Sequence, residues 1–405
     1  MIRDNYLDIS RITTDPNVLK IFKIVSRHGG AVRFVGGAVR DALAGCSASN
    51  LDLSTDLSPD ELAEACEDAG IRTVPVGLKI DTLGVLINGT LLEIGSLKKQ
   101  IKANNGHIEV EFTDDWQADA AQRDLTINAV YADEKGNVFD YYNGIEDLEK
   151  GIIRFIGDPN RQIREDYVRI LRFFRFYSLF GKAPIDHKSL KACRENLSGL
   201  KNLPIERVRD EFLKILVTPN AADVLKIMFE NNILSNWLAD SLYLEQLKTL
   251  TGLQKKYNFA ADPIRRIFIL YHPDKTLAEN IANRLKLTKR QKERLVRLAI
   301  ESPNIGNLTD NDCRQKTIYR FGKEFCLDCL LIRACENKTC ENIEVQIDRI
   351  NNATVPVFPI SGRDIVRCGI CSNAQIGNIR ERLEKMWLDS GFKISREELL
   401  SQITL

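Results

Sequence analysis

The chain has 405 residues, 44% of them apolar, and a formal net charge of +1. That length supports two to four compact units with a core in each, and the near-neutral charge excludes a globally basic nucleic-acid binder. No apolar run approaches the roughly 20 residues that cross a bilayer, and "MIRDNYLDISRITTD" lacks a basic-then-apolar signal pattern, so a cytoplasmic protein with no membrane partner is expected.

In chain order, "AVRFVGGAVRDAL" reads as a strand, a turn at Gly36 and Gly37, and a helix carrying Arg40 one turn in. Backbone N–H groups at such a turn, with a guanidinium beside them, can cradle phosphates, although most Gly-Gly turns are only turns. The alternating segment "SNLDLSTD" follows, and residues 50 and 52 of a strand project from one face. Two carboxylates there would hold two divalent cations for an in-line phosphoryl displacement, yet only Asp52 is an acid and the other position is Asn50. "LSPDELAEACEDAG" reads as a helix capped by Ser58, with Pro59 first and Glu61 closing a capping box. "TLGVLINGTLLEIGSL" alternates about Asn88-Gly89 and predicts a β-hairpin.

From about residue 155 the apolar period is close to 3.6. "LPIERVRDEFLKIL", "AADVLKIMFENNIL" and "LTKRQKERLVRLAI" all read as amphipathic helices, broken by loops near 302–312 and 351–360. Basic residues cluster locally: five arginines against two acids in 161–176, and seven basic residues against one acid in 284–297. The ordinary reading of either run alone is a solvated helix face. Cys326/Cys329 and Cys368/Cys371 have the CxxC spacing of zinc ligands, but "EFCLDCLLIRAC" reads as an apolar helix, which favours core cysteines. The histidines at 28, 107, 187 and 272 show no ligand spacing.

Taken together, "GGAVRDALAG…NLD", "QRDLTINAVY" (122–131), "DYYNGIEDL" (140–148), "REDYVRILRFFRF" (164–176) and "IERVRDEFLKIL" (205–216) resemble, in order and spacing, the class II tRNA nucleotidyltransferases and bacterial poly(A) polymerases of the polymerase β superfamily. "DPIRRI" and "FPISGRDIVRCGICSNAQIGNIRERLEKMW" look like the arm of bacterial members. The resemblance implies an α+β fold, with a mixed α/β polymerase-β-type nucleotidyltransferase head (1–152) followed by an all-helical neck (153–220), body (221–302) and tail (303–405). It implies attack of a tRNA 3′-hydroxyl on CTP or ATP with magnesium as cofactor, held by Asp52, weakly by Asn50, and by Glu93 on the neighbouring hairpin strand.

By the same resemblance Gly36, Gly37, Arg40, Arg123, Asp124, Asn128 and Arg172 handle the ribose and phosphates, and Glu165, Asp166 and Arg169 choose the base. In "REDYVR", Asp166 and Arg169 lie three apart and are expected on one helix face. A carboxylate accepts from an exocyclic amino group and a guanidinium donates to the adjacent ring nitrogen, a pairing that suits cytosine and adenine but not uracil or guanine. "GIEDL" and "IERVRDEF" are expected to be architectural braces. Arg284, Lys286, Lys289, Arg290 and Lys292 are the expected contacts to the phosphates of the tRNA acceptor arm.

The chain also departs from the family pattern. Asn50 replaces an acid, Gln122 replaces the first arginine of an Arg-Arg-Asp, and "KKQIKANNGH" (98–107), expected to be the mobile loop, lacks two acids and an arginine. An amide oxygen still ligates magnesium but brings no charge. The alternative expectation is therefore a tRNA-binding paralogue with impaired catalysis; a poly(A) polymerase fits less well.

Overall fold

The computed structural model describes residues 6–46, 51–76, 81–104, 107–235, 243–337, 342–370 and 372–403, with the backbone alone for 100–104, 107–109 and 337. Asn50 and Cys371 lie outside the described residues. Two compact units divide the chain, Met1–Asn236 and Trp237–Leu405.

The first unit opens with α1 (Pro16–Arg27), β1 (Val32–Val35), α2 (Gly37–Leu43), β2 (Leu53–Thr55) and α3 (Pro59–Asp68). Next come β3 (Arg72–Pro75), β4 (Thr82–Ile87), β5 (Thr90–Ser96), β6 (Lys98–Asn104), β7 (His107–Phe112), α4 (Trp116–Gln122), β8 (Val130–Ala132) and β9 (Val138–Asp140). Among the described residues seven strands form one sheet in the order β3-β4-β5-β2-β1-β8-β9, with β2 and β5 parallel and every other neighbouring pair antiparallel.

Local chemistry explains several of these elements. Ser58 and Glu61 form the predicted capping box of α3, with Pro59 in the first turn. Asn88 and Gly89 both have positive φ, 48° and 84°, which matches the twist of the β4–β5 hairpin and sets Ile87 opposite Thr90. Val32 and Phe34 face a core with Ile21, Phe22 and Val25 of α1 and Leu62 and Cys66 of α3. Val35, on the opposite face, packs with Leu97, Trp116 and Tyr131. The β1–β2 ladder continues one step past the strand end, where the Val35 N–H donates to the Asp52 carbonyl at 3.0 Å. Asp52 is thereby tied next to the Gly36–Gly37 turn.

The stretch expected as a mobile loop is instead a two-stranded ribbon, β6 paired antiparallel with β7 from Lys98↔Phe112 to Asn104↔His107. The sequence carries a sign of it that the reading as a loop passed over: "HIEVEF" (107–112) alternates Ile108, Val110 and Phe112, and Asn105-Gly106 precedes it.

Helices complete the first unit: α5 (Gly144–Lys150), α6 (Pro159–Glu165), α7 (Arg169–Phe180), α8 (His187–Glu195), α9 (Leu197–Leu200), α10 (Ile205–Leu216) and α11 (Ala221–Glu230). Ile170, Leu171, Phe173, Phe174 and Phe176 of α7 are buried, as are Val208, Phe212, Ile215 and Leu216 of α10.

The second unit is helical throughout its described residues: α12 (Leu244–Tyr257), α13 (Pro263–Tyr271), α14 (Lys275–Arg284), α15 (Lys289–Glu301), α16 (Asn311–Asn337), α17 (Ile343–Asn351), α18 (Gly362–Arg367), α19 (Asn373–Asp389) and α20 (Arg396–Ser401). α16 is bent at Gly322, whose φ of 88° only glycine adopts freely. Cys326 and Cys329 are buried within α16, and burial pushes both thiols up to about 12, which suits core packing and opposes the thiolate a metal needs. No helix among the described residues is long and apolar enough to cross a membrane.

Candidate active site

A cleft of about 1170 Å³ opens in the first unit, lined by the Gly36–Gly37 turn, Asp52, the 122–128 segment, the α6–α7 junction, α7 and α10. Gly36 sits at φ 64°, ψ −120°, a backbone region essentially reserved for glycine. A methyl group built on Gly36 would lie 3.9 Å, and one on Gly37 3.7 Å, from Asp52 Oδ2, so the carboxylate hangs directly over the turn. Gly36→Ala is expected to cost roughly 1–3 kcal/mol of stability from backbone strain, read as a lowered thermal midpoint.

The floor of the cleft is one chain of polar contacts. Arg40 donates to Asp41 at 2.9 and 2.7 Å and to Asn128 Oδ1 at 2.6 Å; Asn128 Nδ2 donates to Asp124 at 3.0 Å; Arg172 Nε donates to the other oxygen of Asp124. Arg123 is braced separately by Tyr131 Oη at 3.1 Å and by Asp119, which is only 4% exposed. The glycine turn and α7 are thus joined through four side chains that pair cation, amide and carboxylate.

Burial alone would raise the Asp124 carboxyl, but the Arg172 guanidinium, Asn128 and the Leu125 N–H together hold it at about 2 against an ordinary 3.8. A carboxyl lowered in the folded state stabilises fully above its unfolded value and loses that contribution as pH falls through its folded value. Asp124 should therefore contribute on the order of 2 kcal/mol that disappears between about pH 4 and pH 2. An acid titration followed by circular dichroism checks this, with Asp124→Asn expected to flatten that limb.

Three guanidinium carbons surround the buried Phe176 ring: Arg40 at 4.7 Å, Arg172 at 5.4 Å and Arg175 at 4.5 Å. Burial pulls the Arg175 guanidinium below its ordinary value; Glu211 opposes this, and the neighbouring charges of Arg172 and Arg40 add to it. Each of the three is also paired with a carboxylate of the lining, Arg40 with Asp41, Arg172 with Asp124 and Arg175 with Glu211 at 3.3 Å, so the cluster offers oriented guanidinium donors.

The α6–α7 junction corrects the expectation for Asp166 and Arg169. They do not share a helix face: α6 ends at Glu165, Asp166 is extended at φ −153°, and α7 starts at Arg169. Both nevertheless line the cleft. Arg169 is anchored by the carbonyl of Gln122 at 2.9 Å, by Glu165 at 3.0 Å and by Gln162. Asp166 accepts from the Val168 N–H at 3.2 Å and from Arg207 at 2.8 Å.

Glu165 is not a lining residue; it stands behind Arg169, also pairing with Arg161, and so supports that guanidinium. Glu93 lies on β5 beside the strand of Asp52, by the register Leu53↔Ile94, and is also outside the lining. Arg284, Lys286, Lys289 and Arg290 are exposed on the second unit, where Lys292 donates to Asn283 at 2.8 Å.

α10 is more than a brace. Arg207, Asp210, Glu211 and Lys214 all line the cleft, and Arg175 joins them from α7. Their spacing of i, i+3, i+4 and i+7 places four charges on one helix face, the sign that could have marked them in the sequence.

The donor set can be tested against magnesium. Asp41 is committed to Arg40, whereas the Asp52 side chain has no partner among the described residues and faces the cleft. Magnesium keeps several waters and takes one or two carboxylates plus phosphate oxygens, so a lone open carboxylate beside a phosphate-sized turn fits one ion.

Residues 32–154 match the poly A polymerase head domain, and residues 184–240 match the probable RNA and SrmB-binding site of polymerase A. The CCA tRNA nucleotidyltransferase 1, mitochondrial, of Homo sapiens is 32% identical over 376 residues, which cover 92% of this chain and 86% of that protein. The chain belongs to the CCA-adding tRNA nucleotidyltransferase and poly(A) polymerase family. A CCA-adding enzyme of Geobacillus thermodenitrificans is 34% identical over 218 residues, 53% of this chain and 52% of that one. The fold of this nucleotidyltransferase matches the crystal structure of the Bacillus stearothermophilus CCA-adding enzyme in complex with CTP, with a TM-score of 0.75, 22% identity and 95% of each chain covered. Membership makes the chain an enzyme of nucleotidyl transfer and gives the charged cleft its context.

Proposed function

We propose that this nucleotidyltransferase adds C, A or both to tRNA 3′ ends from CTP and ATP, with base choice by Asp166 and Arg169 and with a metal site weakened by Asn50. The observation that carries this reading is one cleft lined by the glycine turn, the open Asp52 carboxylate, and Asp166 and Arg169. The 3′-oxygen of the tRNA bonds to the α-phosphorus, the bridge to the β-phosphate breaks, and pyrophosphate leaves. Arg40, Arg172 and Arg175 hold the phosphates. Asp166 accepts from the amino group of C or A while Arg169 donates to the adjacent ring nitrogen, and neither U nor G offers that pattern. Magnesium, on Asp52 and the amide oxygen of Asn50, with Glu93 on the adjoining strand as a further carboxylate, would supply positive charge to the phosphates when bound.

The tRNA body would be held through phosphates by Arg284, Lys286, Lys289, Arg290 and Lys292, within a proposed division into head 1–152, neck 153–220, body 221–302 and tail 303–405. Such contacts release counterions, so tRNA affinity should fall steeply between about 50 and 200 mM salt, and by a smaller slope in a Lys289→Ala/Arg290→Ala variant. Filter binding across a salt series reads both slopes.

Asn50 favours a second reading, a catalytically impaired tRNA-binding paralogue. Extension of tRNA transcripts with each of the four nucleoside triphosphates, with and without magnesium, separates the two. The enzyme reading expects magnesium-dependent addition from CTP or ATP and none from UTP or GTP; tRNA binding without any addition would favour the paralogue.

A further inference from the structure

We infer that Arg207 is a positioning residue for base choice, one that fixes the plane of the Asp166 carboxylate; the inference rests on the proposed reading of Asp166 and Arg169. A residue that reads a base edge has to be held, and the two members of this pair are held from different sides. Arg169 has its helix, α7, behind it and three further anchors in Gln122, Gln162 and Glu165. Asp166 has none of these. It lies in the extended gap between α6 and α7, where the Arg169 N–H donates to its carbonyl at 3.0 Å and the Val168 N–H to its carboxylate Oδ1 at 3.2 Å.

The remaining oxygen, Oδ2, accepts from Nη2 of Arg207 at 2.8 Å, across 41 residues of chain. With one donor on each oxygen the carboxylate no longer rotates freely, yet each oxygen keeps a second lone pair for an incoming amino group. A charge-assisted contact to a planar guanidinium is directional, which a lysine ammonium in the same place is not.

This contact is a poor candidate for a purely structural role. The Arg207 and Asp166 side chains are 48% and 31% exposed, and ion pairs that open to water add little to stability. The same two side chains line the cleft, so what the pair does bears on whatever occupies it.

Equilibrium binding of CTP, ATP, UTP and GTP tests the inference without needing turnover, using the full chain and its Arg207→Met, Arg207→Lys and Asp166→Asn variants. Inorganic tripolyphosphate serves as a probe for the phosphate contacts alone. Arg207→Met should leave the melting temperature and tripolyphosphate affinity unchanged while the preference for CTP over UTP falls about tenfold, the size of one charge-assisted hydrogen bond. Arg207→Lys should recover part of that preference. In an Asp166→Asn background Arg207→Met should change nothing further, a comparison that stays valid if either single variant is less stable.

Two results would overturn the inference separately. If Arg207→Met weakens all four nucleotides and tripolyphosphate equally with selection intact, Arg207 is a phosphate ligand. If the native chain itself binds the four nucleotides alike, the reading of Asp166 and Arg169 fails first and the role of Arg207 goes with it.

Discussion

Asp52→Ala should lower single-turnover extension of a tRNA transcript by at least about a hundredfold, the scale of losing one preorganised charge-stabilising group at a reacting centre. Its affinity for CTP, which the proposed reading assigns to Asp166, Arg169 and the arginines around Phe176, should change far less. The expectation follows from the position of the side chain: its strand ladder runs on to Asp52 and ties it beside the glycine turn, and no described residue occupies the carboxylate. Rapid-quench extension and equilibrium binding, measured on the same preparation, read the two quantities independently. A rate within a fewfold of native would show that Asp52 does not carry the charge work.

The largest stability effect is expected in the second unit. Asp328 is fully buried in α16 and accepts from Arg265 at 2.6 Å and from Arg294 at 2.8–3.0 Å, while Arg294 also reaches Asp262 at 2.8 Å. Removing the central carboxylate leaves two guanidiniums close together, Arg265 among them buried, without their shared counter-charge. Asp328→Ala should therefore cost about 3–5 kcal/mol, the range for breaking a buried pair from one side. A fall of the thermal or urea midpoint read by circular dichroism checks it, and a midpoint within about a degree of native would mean the network contributes little.

How much of this was legible in the sequence follows from which interactions are local. The α3 capping box, the Asn88-Gly89 hairpin and the strand–turn–helix at Gly36 all depend on neighbours in sequence, and all three are found. The break between Glu165 and Arg169 is only partly local. The apolar spacing of Ile163, Ile170, Leu171 and Phe174 runs through it as if one helix continued, and what opens the chain is visible only as Asp166 turning to Val168 and to Arg207 of another helix. α10 is a related case: its segment "IERVRDEF" is expected to be an architectural brace, and its apolar face does pack, but Arg207, Asp210, Glu211 and Lys214 also line the cleft. The ribbon of β6 and β7 was legible in part: the alternation of Ile108, Val110 and Phe112 after Asn105-Gly106 marks a hairpin, while the mostly polar β6 shows it only weakly.

Among the departures from the family pattern, Asn50 is the one expected at the metal site itself, where a missing carboxylate should slow the chemical step. The decisive measurement is single-turnover extension of tRNA transcripts ending before CCA, after the first C and after the second C, with CTP, ATP and magnesium, for the native chain beside Asn50→Asp. Addition by the native chain should be slow but measurable, and faster by about tenfold or more when the second carboxylate is supplied. Tight tRNA binding with no addition by either protein would contradict this.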